Sequence, residues 1–281
     1  MQIVTLTTDW GYGDYYMGVV KGRLYSTIAD VQVVDITHNI RKYDNLSAAF
    51  VVKNACFEFP EGTIHIIDVN SYEETKDDDK RERNFVAIKH KGQYYICTDD
   101  GLPSIVFGND EVEVVRISLF NETNYYTFAA LDLFAKVAKH ISEAGTIEHL
   151  GVKQEGFVNQ LILPKPLIYE DRIIVTVIHV DSYGNAFLNI TDKEFKAARG
   201  RKNFFIQIDK VCNVTKLSQS YADLDKKLDN AVLTISSSGY LYGAHCTVGM
   251  KVIAIISESS GELVASVYSQ NREPMVLFMV V

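Results

Sequence analysis

The chain has 281 residues, of which 47% are hydrophobic and 23% charged, so it can bury a sizeable core and is not expected to be disordered. Its formal net charge of -8 argues against nucleic-acid binding, which needs clustered Lys and Arg. No secretory leader, no apolar run of about 18 residues and no CxxC pair is found. We therefore expect a cytoplasmic protein with four buried, reduced cysteines, no metal site and no membrane contact.

The first half of the chain alternates strand and helix patterns. Short apolar runs predict strands, and apolar residues repeated every three or four positions predict helices. The predicted strands are 3–7, 31–36, 63–69, 85–89, 93–98 and 112–117, and the predicted helices are 14–28, 45–57 and 128–141. A hairpin is predicted around Lys91-Gly92. This alternation indicates an α/β domain, placed at 1–165, with a mainly parallel sheet covered on both faces.

The pattern changes in the second half, where short strands with turn residues between them dominate. Strand-like segments are 173–180, 204–208, 230–236, 251–257, 262–268 and 274–281, and a single helix is predicted at 193–199. This arrangement is typical of a small antiparallel sheet or barrel. We therefore predict a smaller, antiparallel, β-barrel-like C-terminal domain at 170–281.

A polar segment, 7–14, directly follows the first strand. In an open parallel sheet this is the edge where ligands bind, and the carboxylate of Asp9 can accept both hydroxyls of a ribose. The alternative is that Asp9 and Asp14 cap the following helix. The segment is not GxGxxG, so a dinucleotide fingerprint is absent.

Three further polar segments allow both a functional and a structural interpretation. The segment 35–38 ends the second strand, and a lone His38 is more often structural than catalytic. The segment 182–185 is a hairpin turn or a site where Asn185 reads an adenine edge or a carboxylate. The Ser/Gly loop at 236–241 suits an amino-acid zwitterion or a base, although such loops are common. No nucleophile elbow, P-loop or HExxH motif is present.

Together these segments resemble the S-adenosylmethionine hydroxide adenosyltransferase family, which includes fluorinases and chlorinases. Six family motifs are matched or echoed in order: TDFGxxDxYVGxxKG is matched closely by 8–22, DITH recurs at 35–38, PxGTVH appears at 60–65, and PDNGLL, DxFGNxxTNI and NSxGYLEIA are echoed by 98–102, 181–190 and 236–244. The resemblance implies an α/β N-terminal adenosyl-binding domain and a β-rich C-terminal domain. It also implies a homotrimer with the site between neighbouring subunits, and S-adenosylmethionine as substrate without cofactor.

The resemblance assigns roles to individual residues. Asp9 would hold the ribose hydroxyls, Asp181 and Ser237 the methionine end, and Asn185 the adenine side, while Tyr43 would place an aromatic ring against the ligand. The remaining ligand-binding candidates are Tyr72, Tyr183, Ser238 and Tyr240.

The catalytic trio of hydrolysing relatives, Asp-Arg-His, is incomplete here. Asn70 occupies the Asp position, with Asp68 two residues earlier on the same strand face, and Ala129 occupies the His position. The Arg would be Arg81 or Arg83. We therefore take Asp68, Asn70 and Arg83 as the catalytic candidates.

The incomplete trio leaves three functions open. The first is hydrolysis of S-adenosylmethionine to adenosine and L-methionine by displacement at the ribose 5′ carbon, with Asp68, Glu73 or Glu74 as a replacement carboxylate. The second is a catalytically silent protein that binds S-adenosylmethionine or adenosine. The third is halide adenosyltransfer, because Tyr72 and Thr75 have the spacing of the TYPAT loop of the halogenating branch and a halide needs no base.

Overall fold

A computed structural model describes residues 1–71, 84–119, 128–181, 186–207, 213–214, 217–218, 233–234, 251–257 and 278–280. The chain divides into two compact units, Met1–Ile162 and Leu163–Val281. Within the described residues, no helix combines the length and the apolar character needed to cross a bilayer.

The first unit alternates strands and helices. Its strands are β1 (Gln2–Thr8), β2 (Val31–Thr37), β3 (Ile64–Asp68), β4 (Asn84–His90), β5 (Gln93–Asp99), β6 (Glu113–Ile117) and β7 (Gly151–Gln154). Its helices are α1 (Tyr16–Thr27), α2 (Asn45–Ala55), α3 (Leu102–Phe107) and α4 (Ala135–Ala144), with a 3₁₀ turn at Cys56–Glu58 and a π-helical turn at Ala130–Phe134. The α/β prediction is confirmed, whereas α3 and β7 were not predicted.

The sheet of the first unit is mixed, not mainly parallel. Its strand order is β2-β1-β3-β5-β4-β6-β7, in which β2, β1, β3 and β5 are parallel and the remaining pairs are antiparallel. The predicted hairpin is the physical reason for one of the three antiparallel pairs, β4 with β5. Lys91 and Gly92 both have positive φ, 46° and 76°, as the tightest hairpin turns require, and this turn sends β5 back alongside β4.

Helices cover both faces of this sheet. Ile64 and Ile66 on β3 belong to a core cluster with residues of α1 and α4, whereas Ile67 and Val69 belong to a second cluster with residues of α2 and α3. Side chains alternate between the two faces of a strand, so each face acquires its own core. The polar segments that follow β1 and β3 are therefore left at the edge of the sheet.

Two of the four cysteines lie in the described residues, and both are buried and free. Burial raises the pKa of Cys56 to about 12, so its thiol stays protonated and unreactive at neutral pH. The expectation of buried, reduced thiols is confirmed for Cys56 and Cys97, while Cys212 and Cys246 lie outside the described residues.

The second unit is built mainly of strands. These are β8 (Leu167–Ile168), β9 (Arg172–Val180), β10 (Ala186–Thr191), β11 (Asn203–Gln207), β12 (Asn213–Val214), β13 (Leu217–Ser218), β14 (Leu233–Thr234), β15 (Lys251–Ser257) and β16 (Phe278–Val280). The longer strands pair antiparallel, as predicted. The pairings of the described residues run as an open path from β12 to β13, so they form a sheet without the closure of a barrel.

The single helix of the described second unit, α5 (Asp192–Arg199), confirms the prediction at 193–199. Thr191 and Glu194 form a capping box, in which each side chain bonds the other's backbone N–H. This local signal needs no tertiary contact, which explains why the sequence alone located the helix.

Candidate functional site

The candidate site lies where the connections of the first sheet change direction. From β1 the chain passes through α1 to β2 on one side, and from β2 it passes through α2 to β3 on the other side of β1. The carboxyl ends of β1 and β3 thus flank a topological switch point, the usual position of ligand clefts in such sheets. Asp9 directly follows β1, and Asp68 is the last residue of β3, in register with Thr8.

Asp9 is held in this position by two backbone amides. Its Oδ2 accepts hydrogen bonds from the amide N of Tyr43 at 3.0 Å and of Asn70 at 3.3 Å. Tyr43 and Asn70 both have left-handed backbone conformations, with φ of 64° and 56°. Such conformations are costly for residues other than glycine and cluster at functional sites. Asparagine tolerates this conformation, so the strain lies at Tyr43, and both loops direct amide groups at one carboxylate.

The alternative role of Asp9, as a cap of the following helix, is wrong. The helix α1 begins at Tyr16, and no side chain caps it. Asp14 is exposed and accepts a hydrogen bond from the amide N of Tyr15 at 2.7 Å, a contact within the local turn. Asp9 instead joins the loops that precede α2 and follow β3.

Asp68 is buried next to Asp9. Its side chain is 4% exposed, and its Oδ2 accepts a hydrogen bond from Trp10 Nε1 at 3.1 Å. Burial, and to a smaller extent the charge of Asp9, raise the pKa of Asp68, hydrogen bonds from Ser71 and Trp10 lower it, and the resulting pKa is about 7. A carboxyl group with this pKa changes its protonation state in the physiological pH range.

Trp10 is fixed by an aromatic cluster. Its ring stacks on His38 with 5.7 Å between centroids and 15° between planes, and Phe128 meets it edge-on at 5.4 Å. His38 is completely buried; its Nδ1 lies 2.8 Å from Thr8 Oγ1 and its Nε2 lies 3.2 Å from Asp35 Oδ1. This packing gives His38 a structural position beneath Trp10.

Asn70 links β3 to the end of β5. Its Nδ2 donates to Asp100 Oδ2 at 3.0 Å, and Asp100 Oδ1 accepts from the amide N of Leu102 at 3.2 Å. An amide at this position satisfies Asp100, but it has no basic group that can accept a proton at neutral pH.

We predict that Asn70→Asp lowers the free energy of unfolding by about 1–2 kcal/mol at pH 7, because a hydrogen bond to Asp100 is replaced by two adjacent carboxylates. Urea unfolding measured at pH 7 and pH 4 tests this, since protonation at pH 4 should reduce the loss. Asn39→Asp, at an exposed position, introduces the same charge and serves as control. Equal stability of Asn70→Asp and the control would contradict the prediction.

The described residues bring together four of the sequence candidates. Asp9, Asp68 and Asn70 meet at the switch point together with the backbone of Tyr43, whose side chain is 67% exposed. Asp181 directly follows β9 in the second unit. The other candidates lie outside the described residues: Tyr72, Arg83, Tyr183, Asn185, Ser237, Ser238 and Tyr240.

Sequence reasoning did not single out Trp10 or Asp100, although both lie within motifs that it quoted. In the sequence, an aromatic residue after Asp9 is typical of a core position. Only the fold shows that the indole N–H of Trp10 donates to Asp68, 58 positions later in the chain. Within the described residues, no group of three or more His, Cys, Asp or Glu side chains is arranged to hold a metal ion.

The fold and this site define an α/β protein with a cluster of acidic side chains at the switch point of its sheet. Comparison with known families refines this class. Residues 4–151 match the SAM hydroxide adenosyltransferase N-terminal domain, and residues 175–244 match the C-terminal domain of the same family. The chain therefore belongs to the SAM hydroxide adenosyltransferase family.

The individual proteins that resemble this chain have low sequence identity to it, between 20% and 27%. The chain is 27% identical over 202 residues to the (R)-S-adenosyl-L-methionine hydrolase of Methanocaldococcus jannaschii, an alignment that covers 69% of each chain. An uncharacterised conserved protein from Thermotoga maritima has a similar fold, with a TM-score of 0.74, 23% identity and coverage of 90% of this chain and 99% of its own. A conserved hypothetical protein from Thermus thermophilus has a TM-score of 0.62, 20% identity and coverage of 91% and 100%.

Proposed function

We propose that the protein binds S-adenosylmethionine and hydrolyses it to adenosine and L-methionine. The observation that carries this proposal is the Asp9 carboxylate, held at the switch point by the amides of Tyr43 and Asn70. A carboxylate can accept about four hydrogen bonds, so two remain for the vicinal hydroxyls of a ribose. The M. jannaschii relative, named as a hydrolase of this substrate, supports the choice of ligand.

The proposed reaction is a displacement at the ribose 5′ carbon. The water oxygen forms the new C–O bond, the C–S bond breaks, and its electron pair stays on sulfur, so L-methionine leaves as a neutral thioether. One proton is released from the attacking water. Because the leaving group needs no protonation, the protein has to position the water, exclude other solvent and accept that proton.

The second unit would complete the site. In this proposal Asp181 and Ser237 hold the methionine end and Asn185 the adenine side, with Tyr72, Tyr183, Ser238 and Tyr240 nearby. We further propose that these residues act across the interface of a homotrimer. Arg83 would then supply a positive charge near the reacting centre.

A catalytically silent binding protein is the second candidate. The observation that favours it is the pair Asn70 and Ala129, since neither an amide nor a methyl group can take a proton from water. Asp9 and its supporting amides would serve a sensor as well as an enzyme.

Product analysis separates these functions. The purified protein is incubated with S-adenosylmethionine, with and without chloride, and the nucleosides are resolved by chromatography. Release of adenosine and methionine in equal amounts is the expected result. Binding by calorimetry without turnover would favour the silent protein, and a 5′-chloro nucleoside would favour halide transfer. Absence of both binding and turnover would overturn the proposal.

A further inference from the structure

We infer that Asp68, and not Asn70, accepts the proton of the attacking water, and that the indole of Trp10 positions the Asp68 carboxylate for this step. The inference rests on the proposed hydrolysis and assigns its proton acceptor. The two residues concerned, Trp10 and Asp68, are 58 positions apart in sequence and are in contact only in the folded chain.

The other acidic groups at this edge of the sheet are already engaged. Asp9 accepts two amide hydrogen bonds and is assigned to the ribose. Asp100 accepts on both oxygens, from Asn70 Nδ2 and from the amide N of Leu102. Asp99 accepts from the amide N of Val158 at 2.8 Å and so anchors the segment after β7. Asp68 differs from these three in that its donors are two side chains, the indole of Trp10 and the hydroxyl of Ser71, and no contact assigns it to the ribose or to a neighbouring loop in the described chain.

The position of Asp68 is well defined. It ends β3 beside Thr8 of β1, so the residue next to Thr8, Asp9, lies close enough for its charge to act on the Asp68 carboxyl group. The indole that donates to Asp68 is held from below by His38 and from the side by Phe128. A donor fixed in this way limits the orientations of the carboxylate, which is what a group that must meet one water molecule requires.

The protonation state of Asp68 supports this role. Burial, together with the Asp9 charge, raises its pKa to about 7, close to the value at which a general base works best at neutral pH. Other titratable groups of the described chain lie on the elements that neighbour or pack against β3. They are Tyr94, Tyr95, Cys97, Asp99 and Asp100 from β5 and the residue after it, Asp132 from the π-helical turn, and Lys136, Lys139, His140 and Glu143 from α4.

In the proposed step, the water oxygen attacks the 5′ carbon while one of its protons passes to Asp68. The C–S electron pair remains on the sulfur of methionine, and the protonated Asp68 returns its proton to solvent after product release. The sulfonium of the bound substrate favours the ionised carboxylate. In the pH–rate profiles, activity should fall toward acid pH as Asp68 becomes protonated, and we call this fall the acidic limb. The acidic limb of kcat should lie at lower pH than the acidic limb of kcat/KM, because kcat/KM reports the pKa in the free enzyme.

The test compares Asp68→Asn, Trp10→Phe and the wild type. We expect Asp68→Asn to lower kcat about 100-fold or more, to leave the dissociation constant of adenosine nearly unchanged and to remove the acidic limb. Trp10→Phe keeps the ring but loses the N–H donor, so it should shift the limb to higher pH with a smaller loss of kcat. A purely structural role of Trp10 would lower activity without moving the limb.

Glu143→Gln, an exposed carboxylate on α4, is the control and should behave as wild type. Circular dichroism at each pH verifies that the variants are folded. If the wild type releases adenosine and Asp68→Asn keeps its rate and pH profile, the inference is overturned while the proposed function stands. If the wild type binds S-adenosylmethionine but releases no adenosine at any pH, the proposed function itself fails.

Discussion

Replacement of Asp9 by Ala is expected to weaken adenosine binding by about 1–3 kcal/mol, or roughly 5- to 150-fold, because a charged hydrogen-bond acceptor of the ribose is lost. The variant also leaves the amides of Tyr43 and Asn70 without their carboxylate acceptor, in two loops with left-handed backbone conformations. Calorimetric titration with adenosine measures the effect directly.

The proposed contact between Asp9 and the ribose hydroxyls can be isolated by measuring the binding of adenosine and of 2′-deoxyadenosine to both the wild type and the variant. Wild-type protein should prefer adenosine to 2′-deoxyadenosine, and Asp9→Ala should reduce that preference, since the two changes remove the same interaction. Asp14→Ala is the matched control, because Asp14 is exposed and accepts only a local amide hydrogen bond in the described contacts. If Asp9→Ala retained both its affinity and its preference for the 2′-hydroxyl, the ribose assignment would be wrong.

Replacement of Asp68 by Asn is expected to stabilise the first unit at alkaline pH. The pKa of Asp68 rises from 3.8 to about 7 on folding, mainly through burial, so between these values the folded state binds more protons than the unfolded state. Stability from this group therefore falls as pH increases through that window and reaches its minimum above pH 7. Asn keeps an acceptor for Trp10 Nε1 without the charge. The gain at pH 8 is at most about 4 kcal/mol, at about 1.4 kcal/mol for each pKa unit.

The protein contains one tryptophan, Trp10, and its indole contacts Asp68, so fluorescence-detected urea unfolding reports on this unit. The difference in unfolding free energy between Asp68→Asn and wild type should be small at pH 4 and should grow up to pH 8. Glu143→Gln serves again as the control and should track the wild type. A difference that is independent of pH would show that the pKa of Asp68 does not change on folding.

The parts of the fold that sequence predicted best depend on local signals. The hairpin at Lys91-Gly92 and the capped helix α5 each follow from a few adjacent residues. The direction of β4 has a different origin: the hairpin was predicted, but its consequence, a mixed sheet, depends on β4 lying between β5 and β6. The short elements α3 and β7 lack the long periodic pattern from which helices and strands are recognised.

In the candidate site, too, the sequence identified individual residues but not the contacts between them. Asp9 and Asn70 were identified from their motifs, and so was the gap left by Ala129. Sequence could not show that the amides of Tyr43 and Asn70 converge on one oxygen of Asp9, because these residues are 34 and 61 positions away from it. It also could not rank Asp68 above its neighbours, because a pKa depends on burial and on charges brought close by folding.

The sequence by itself determined the kind of domain, the ordered set of motifs and the membership of the SAM hydroxide adenosyltransferase family. Only the tertiary structure decided which carboxylates lie together at the ends of β1, β3 and β5, which groups donate to each of them, and that Trp10 donates to Asp68. The reason is that side-chain types and periodicity are local properties, whereas hydrogen bonds between strands, burial and electrostatic coupling exist only after β1, β3 and β5 lie side by side.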